Sequence, residues 1–249
     1  MVQVSCVIPA RNEAAIVVAR LGALQWLRAS GHELILVDGG SSDGTSELAV
    51  PLVDQLLSSV PGRALQMNAG AAGATGDVLW FLHLDAEPPR GAVDAMTDAI
   101  AQGRAWGRFD VRLSGANAML RLVERMMNLR SRLTGIATGD QGIFVLREVF
   151  ERAGRYPELA LMEDIALSRR LKRLGRPACL DHRILASSRR WEQCGIWRTI
   201  LLMWRLRLSY WLGADAAALA RRYDAPCGAS RRSGRRLALR GRAATSGSK

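Results

Sequence analysis

The segment Val-Leu-Trp-Phe-Leu-His-Leu at residues 78–84 constrains the fold more than any other part of the chain. A nearly unbroken apolar run of this length, ending on Asp85-Ala86-Glu87, fits a strand buried on both faces. Such strands belong to parallel sheets covered by helices, so the neighbouring segments should alternate strand and helix. Residues 2–8 read as a strand stopped by Pro9, residues 14–29 as a helix with Gly31 near its end, and residues 34–37 as a short apolar strand. A weaker helix runs to about Val50 and halts at Pro51, residues 55–59 form a third strand, and residues 63–74 are Ala-rich and helical. The expected class is α/β, with a mainly parallel sheet flanked by helices.

The rest of the chain is less regular. Residues 106–113 alternate like a strand, 117–133 are helical, and 142–145 form a short strand. Residues 147–152 make a helical turn or two, 163–174 a helix closed by Gly175 and Pro177, and 196–212 another helix. The 249 residues suit one domain with a substantial core, expected over 1–223 as a ligand-binding half (1–115) and a second half (116–223). Residues 224–249 are Arg, Gly, Ser and Ala-rich and read as a basic, disordered tail.

That tail explains most of the basicity. Of the formal net charge of +12, +8 lies after residue 220, on Arg221, Arg222, Arg231, Arg232, Arg235, Arg236, Arg240, Arg242 and Lys249 against Asp224. The body is therefore only mildly basic, and bulk charge gives little reason to expect a nucleic-acid partner. No run approaches the roughly 18 apolar residues of a membrane-spanning helix. The first ten residues show no basic start or long apolar core, so no leader is expected and the cytoplasm is the expected location. Cys6, Cys179, Cys194 and Cys227 form no CxxC pair or zinc spacing and are expected as free thiols.

In parallel sheets, ligands bind beyond the carboxyl ends of the strands. Those positions carry Arg11, Asn12 and Glu13 after the first strand, Asp38 after the second, and Asp85 with Glu87 after the fourth. Turn and capping roles account for any one of these loops about as well, but less readily for all three together. Asp85 and Glu87, two residues apart at a strand end, can reach one hard cation, Mg²⁺ or Mn²⁺, that also grips a substrate diphosphate. In Asp38-Gly-Gly-Ser-Ser-Asp-Gly-Thr45 the glycines let a ligand approach the backbone, and Asp38 can accept a hydrogen bond from a base edge. The loop is neither a Walker loop nor a GxGxxG fingerprint. Asp164, in Met162-Glu163-Asp164-Ile165, opens a helix whose dipole favours an ionised carboxylate suited to general-base work, although plain helix-terminal charge explains it as well. Asp140 and Gln141 form a second polar site before a strand, expected to line an acceptor pocket, with Asp140 a rival base. His83 is expected in the core, and His182 is a remote candidate for a metal ligand.

In order along the chain, Val7-Ile-Pro-Ala-Arg-Asn-Glu13, VDGGSSDGT, Gln66-Met67-Asn68-Ala69-Gly70, Gly76-Asp77 before a strand ending LDAE, GRYPE, MEDI and LSRRLKRLG resemble glycosyltransferase family 2 over residues 2 to about 192. The resemblance implies a GT-A fold and transfer of a sugar from a nucleoside-diphosphate sugar, most simply a UDP-hexose, to a hydroxyl, with inversion and a divalent metal. The GDQ, SRRWE and RTILLMW segments are similar to a bacterial subgroup associated with radical-SAM and selenium-domain genes, the arsenosugar-biosynthesis transferases. By the same resemblance Pro9, Ala10 and Glu13 would line the nucleoside and Asp38 would hold the base. Asp85 and Glu87 match the DxD motif, with Glu in place of the more usual last Asp, and Asp164 matches the base of the ED motif. Met67 stands where many members carry Arg, and Arg63 one turn earlier would supply that charge. Ser188-Arg-Arg-Trp191 is similar to the end of QxxRW, with Ser187 in place of Gln, which argues against polymer synthesis. Arg190 would hold the departing diphosphate and Trp191 would stack on sugar or acceptor, unless Trp191 simply packs in the core.

Trp197, Trp204 and Trp211 recur every seven residues beside Leu201, Leu208 and Leu212, with Arg198 and Arg205 on another face. A stripe at helical spacing ordinarily faces the core, which is the expectation here. The alternative is a helix lying on an anionic membrane surface, assisted by the basic tail. Two rival functions fit less well. A nucleotidyltransferase should carry a Gly-rich phosphate loop after the first strand, where PARNEA has no glycine. A basic nucleic-acid-binding protein leaves the DAE and MED acids without a role.

Overall fold

The structure, a computed structural model, describes residues 2–225. Its strands are β1 (Val4–Ala10), β2 (Glu33–Asp38), β3 (Gln55–Ser58), β4 (Val78–Phe81), β5 (Trp106–Leu113), β6 (Phe144–Leu146) and β7 (Ala178–Ala186). They form one sheet in the order β3-β2-β1-β4-β6-β5-β7. Only β6 runs antiparallel to its neighbours. The helices are α1 (Ala14–Ala23), α2 (Gln25–Ala29), α3 (Thr45–Ala49), α4 (Arg63–Gly73), α5 (Ala92–Ala101), α6 (Ala118–Thr134), α7 (Arg147–Arg152), α8 (Glu163–Leu174), α9 (Arg189–Cys194), α10 (Ile196–Trp211) and α11 (Ala216–Asp224). The mainly parallel α/β sheet read from the sequence is the observed class.

Both faces of the sheet are buried, as the apolar run at β4 requires. Val4, Cys6 and Ile8 of β1 and Trp80 of β4 pack with Leu21 of α1 and Met96 of α5. On the other face Val7, Val37, Leu79 and Phe81 pack with Met67 of α4, Phe150 of α7 and Leu171 of α8. The strand pleat alone sends neighbouring residues to opposite layers.

Pro9 does not stop β1, which continues to Ala10 alongside β2. It ends the other ladder instead. The Val7 carbonyl accepts from Leu82 N at 3.1 Å, so Pro9, two residues on, faces the same side. The next rung would need an N–H that proline lacks. β4 therefore ends at Phe81, and residues 82–87 leave the sheet as a turn rather than continuing as strand. The helix expected over 14–29 breaks at Leu24 into α1 and α2. Pro51 sits in a 3-10 turn that follows α3, a position where a missing N–H costs nothing.

The sequence reading did not foresee β7, α5 or α11. β7 is an edge strand whose centre, Asp181-His182-Arg183, is exposed, so it lacks apolar alternation. The Ser188-Arg-Arg-Trp191 segment opens α9. Cys6 and Cys179 are free thiols, but Cys194 is disulfide-bonded, against expectation. Cys227 and most of the segment expected to be disordered lie outside the described residues.

α10 departs most from expectation. Thr199 and Leu206 are buried, but Trp197, Trp204 and Trp211 are 66%, 72% and 69% exposed. The tryptophan stripe does not cover the sheet.

Candidate active site

The carboxyl ends of β1 and β2 are joined by side chains from three elements. Gln66 of α4, 4% exposed, donates from Nε2 to the carbonyls of Ala10 (2.8 Å) and Val37 (2.9 Å). Asn12, with φ +53°, accepts from Ser42 N at 2.9 Å, and its own N–H donates to Ser41 Oγ at 2.9 Å. Glu13 N donates to Thr45 Oγ1 (2.8 Å) and Ala14 N to Asp43 Oδ2 (3.0 Å). The glycine-rich loop after β2 thus caps the start of α1 from outside, satisfying amides that a helix leaves open.

Asp38 ends β2 and is 6% exposed. Its carboxylate accepts from Ser41 N (3.0 Å) and from Ser41 Oγ. Burial alone would raise its pKa, but the Ser41, Ser46 and Gly40 hydrogen bonds outweigh it and hold the carboxyl below its ordinary range. Asp38 is ionised at neutral pH beside Pro9 and Ala10.

Asp85 lies in the turn after β4, half-buried. Glu13 is within electrostatic reach. Burial raises its pKa most; Arg189 and Arg63 oppose this, while Asp85 and Asp43 add to it. Glu87 is fixed differently. It pairs with Arg20 of α1, and its backbone exchanges two 2.9 Å hydrogen bonds with Leu185 of β7. The DAE turn is thereby anchored to α1 and β7 at its Glu end, leaving Asp85 as the acid beside Glu13.

A second group of charges faces Arg63 at the start of α4. Burial works against the Arg63 charge, but Tyr223, Glu163, Asp140 and Asp164 outweigh it and raise its pKa. Asp164 lies at the start of α8, where its Oδ2 accepts from Gly139 N (2.9 Å) and its Oδ1 from Ile165 N (2.6 Å). Burial, then the neighbouring Asp140, push Asp164 up against the pull of these two bonds and of His83. Asp140 behaves oppositely. His83 Nδ1 stands 3.4 Å from Asp140 Oδ1, and His83 and Arg63 together hold the Asp140 carboxyl below its ordinary range despite burial. A Cβ at Gly139 would lie 2.6 Å from the His83 ring, so any larger residue there would have to displace this histidine.

Glu163, 6% exposed, is pushed up to about 7, first by burial and then by Asp164, against Arg63 and His83. A carboxyl raised on folding stabilises the fold fully below its unfolded value near 4.5, and this is lost as pH rises through about 7. Glu163→Gln is therefore expected to stabilise the protein at pH 8 by roughly 1–3 kcal/mol and to lose that advantage near pH 4. Thermal melts of both proteins across this range measure the difference; equal melts at pH 8 would mean that Glu163 is not strained by its surroundings.

Arg63 thus links the two groups, Glu13 with Asp85 on one side and Asp140, Glu163 and Asp164 on the other. Asp38 ends β2 and Asp85 follows β4, while Arg63 lies in electrostatic reach of Glu13, Asp140, Glu163 and Asp164. Arg190 sits under α11, its guanidinium 3.6 Å over the Tyr223 ring and donating to the Tyr223 carbonyl. Trp191 packs against Val111, Leu113 and Leu120, the core placement. Gln141 is wholly buried, forming a capping box with Thr138, so it does not line an acceptor pocket as expected. Its amide is consumed in closing the 3-10 turn that presents Asp140. Met67 is a core residue, and Asn68 instead bonds both backbone groups of Tyr156.

His83, Glu163 and Arg130 were not foreseen in the site. His83 interrupts an apolar run, which was its only signal. Arg130 of α6 lies in electrostatic reach of Asp164, with Nε and Nη2 buried and unpartnered, and nothing in sequence ties residue 130 to residue 164. His182 is exposed in mid-β7. An open hollow of about 590 Å³, lined by Arg112, Leu113, Ser114, Arg121 and Arg183, contains none of the expected site residues.

Among the described residues no group of three His, Cys, Asp or Glu side chains could by itself hold a metal. One or two carboxylates completed by substrate phosphates is the usual Mg²⁺ arrangement, and an Asp85 that no described hydrogen bond or ion pair engages suits it.

A mainly parallel sheet with acids at its carboxyl edge and one reversed strand places the chain in the GT-A fold class. The chain belongs to glycosyl transferase family 2, whose profile matches residues 5–152. It is 27% identical over 221 residues to the probable glycosyltransferase YdaM of Bacillus subtilis, covering 77% of this chain and 50% of that one. It is 29% identical over 157 residues to the undecaprenyl-phosphate 4-deoxy-4-formamido-L-arabinose transferase of Yersinia enterocolitica, covering 56% and 46%. The chain thus spans about half the length of these relatives. Its fold is similar to Mycobacterium tuberculosis glucosyl-3-phosphoglycerate synthase in complex with Mn²⁺ and UDP-glucose (TM-score 0.55, 21% identity, 73% of this chain and 70% of that one). It is also similar to S. aureus TarS (TM-score 0.57, 16% identity, 75% and 60%).

Proposed function

We propose that the protein is an inverting glycosyltransferase that moves a sugar from a UDP-hexose to a hydroxyl acceptor. The observation that carries this reading is Asp164. It is a carboxylate of raised pKa, fixed by two backbone amides at a helix start, and Arg63 lies in electrostatic reach of both it and Glu13.

The nucleoside would lie over Pro9, Ala10 and Glu13, with the ionised Asp38 accepting the N–H of the base on a lone pair that Ser41 leaves free. Asp85, and Glu87 if it exchanges Arg20 for a cation, would hold Mg²⁺ or Mn²⁺ against the donor diphosphate. Such an ion, when bound, offsets the negative charge of the leaving group. Arg63 would bring a cationic group to the same edge, and Arg190 would do so if it exchanged Tyr223 for the diphosphate. Asp164 accepts the proton of the acceptor hydroxyl as its oxygen attacks the anomeric carbon and the bond to the diphosphate breaks. One displacement with one base inverts that carbon. Asp140 is held at low pKa by His83 and is a weaker base than Asp164 near neutrality. It suits an acceptor hydrogen bond better. The GDQ, SRRWE and RTILLMW segments support the arsenosugar-type subgroup.

Thermal shift with UDP-, GDP- and TDP-sugars, with and without Mn²⁺, tests the donor. One sugar nucleotide at about 100 Kd should add roughly 2.7 kcal/mol only with metal, and duplex DNA should add nothing. Metal-independent stabilisation, or none by any sugar nucleotide, contradicts the reading.

A further inference from the structure

α10 has two apolar faces, and the fold uses one. Ile200, Met203, Leu206 and Tyr210 pack inward against α6, α11 and their neighbours. Opposite them Trp197, Leu201, Trp204, Leu208 and Trp211 follow one another at spacings of four and three, which forms a single stripe along a helix. All five are 57–72% exposed. At 100° per residue, Arg198 and Arg205 flank this stripe on one side and Arg207 on the other, each roughly 80–100° away. α10 carries no Asp or Glu.

We propose that this stripe docks on an anionic lipid bilayer, with α10 lying in the plane of the interface. Indole rings suit the boundary between headgroups and acyl chains, and flanking arginines extend their guanidinium groups to lipid phosphates. Among the described residues no helix is long and apolar enough to cross a membrane, so the contact is one of lying on the surface. Charge decides between a membrane and a second copy of the chain. Pairing α10 with itself would set arginines against arginines with no acid on either helix, whereas an anionic surface neutralises them. The chain beyond the described residues adds to this. α11 packs through Leu219 and Tyr223 on the inner side of α10, and residues 226–249 follow it with Arg231, Arg232, Arg235, Arg236, Arg240, Arg242, Lys249 and no acid. The proposal does not depend on the transferase reading.

Flotation of the full-length protein with vesicles tests it, using phosphatidylcholine alone and phosphatidylcholine with one-third phosphatidylglycerol. At low salt the protein is expected to float with the anionic vesicles, with a blue shift of tryptophan fluorescence, and less so as salt rises. The triple variant Trp197→Ser, Trp204→Ser, Trp211→Ser is expected to melt like the parent, since the rings are exposed, and to lose binding by at least about tenfold. Arg198→Gln with Arg205→Gln should weaken binding to anionic vesicles only. Three results overturn the proposal. These are a parent that stays unbound with anionic vesicles, a triple variant that floats as well as the parent, and a dimer in sedimentation that the tryptophan changes dissociate while flotation is absent.

Discussion

Asp164→Asn is expected to lower sugar-transfer turnover by about 10²–10⁴-fold while donor affinity changes little, the usual size of a general-base contribution. The amide cannot take the acceptor proton. It can still accept one of the two backbone hydrogen bonds, from Gly139 or Ile165, and it relieves repulsion with Asp140 and Glu163, so the fold should persist. Because burial and Asp140 raise the Asp164 pKa, the parent's turnover should rise with pH through that raised value, and the variant should lack this acidic limb. Asp140→Asn provides the contrast, with an expected loss of no more than about tenfold. Turnover measured for both variants separates the two acids. Equal losses, or a greater loss at Asp140, would transfer the base to the 3-10 turn.

The second large effect concerns stability. Arg108 on β5 is 0% exposed, pairs with Asp110 and donates to the Asn128 carbonyl at 3.3 Å. Asp110 also receives Arg132 at 2.8 Å, and Arg132 pairs in turn with Asp181 on β7. Asp110→Ala would leave a buried guanidinium without its counter-charge, with its Nε already unpartnered. The expected cost is about 3–5 kcal/mol, or about 6–20 °C in Tm. Replacing both partners, Arg108→Met with Asp110→Leu, should recover most of the loss, because no isolated charge remains. Urea unfolding of the three proteins measures this; a loss below about 1 kcal/mol in Asp110→Ala would show that the pair carries little of the fold.

The cost of leaving an ion unpaired is invisible in sequence. Arg108 and Asp110 alternate in a strand pattern like any half-exposed pair, and only the packing of α6 over β5 buries them. The same holds for Arg130, which tertiary folding alone sets near Asp164. β7 escaped detection for the opposite reason. Its exposed centre carries Asp, His and Arg because an edge strand needs no apolar alternation. Gln141 was misplaced because a buried capping amide and a ligand-facing amide look alike in the string Gly-Asp-Gln. The tryptophans of α10 were expected to face inward, since helical spacing shows that residues share a face but not which neighbour, if any, covers it.

What the sequence determined by itself was local. Apolar runs and their breaks gave β1 to β6 in order with most of the helices between them, the α/β class and the position of Asp38, Asp85 and Asp164 at ends of elements. Periodicity and turn chemistry act over a few residues and can be read in one dimension. Only the tertiary structure decided which of those acids share a neighbour and how each titrates. Asp140 is pulled down by His83 and Glu163 pushed up beside Asp164 through burial and charge at short range in space, and these distances do not exist until the sheet has formed.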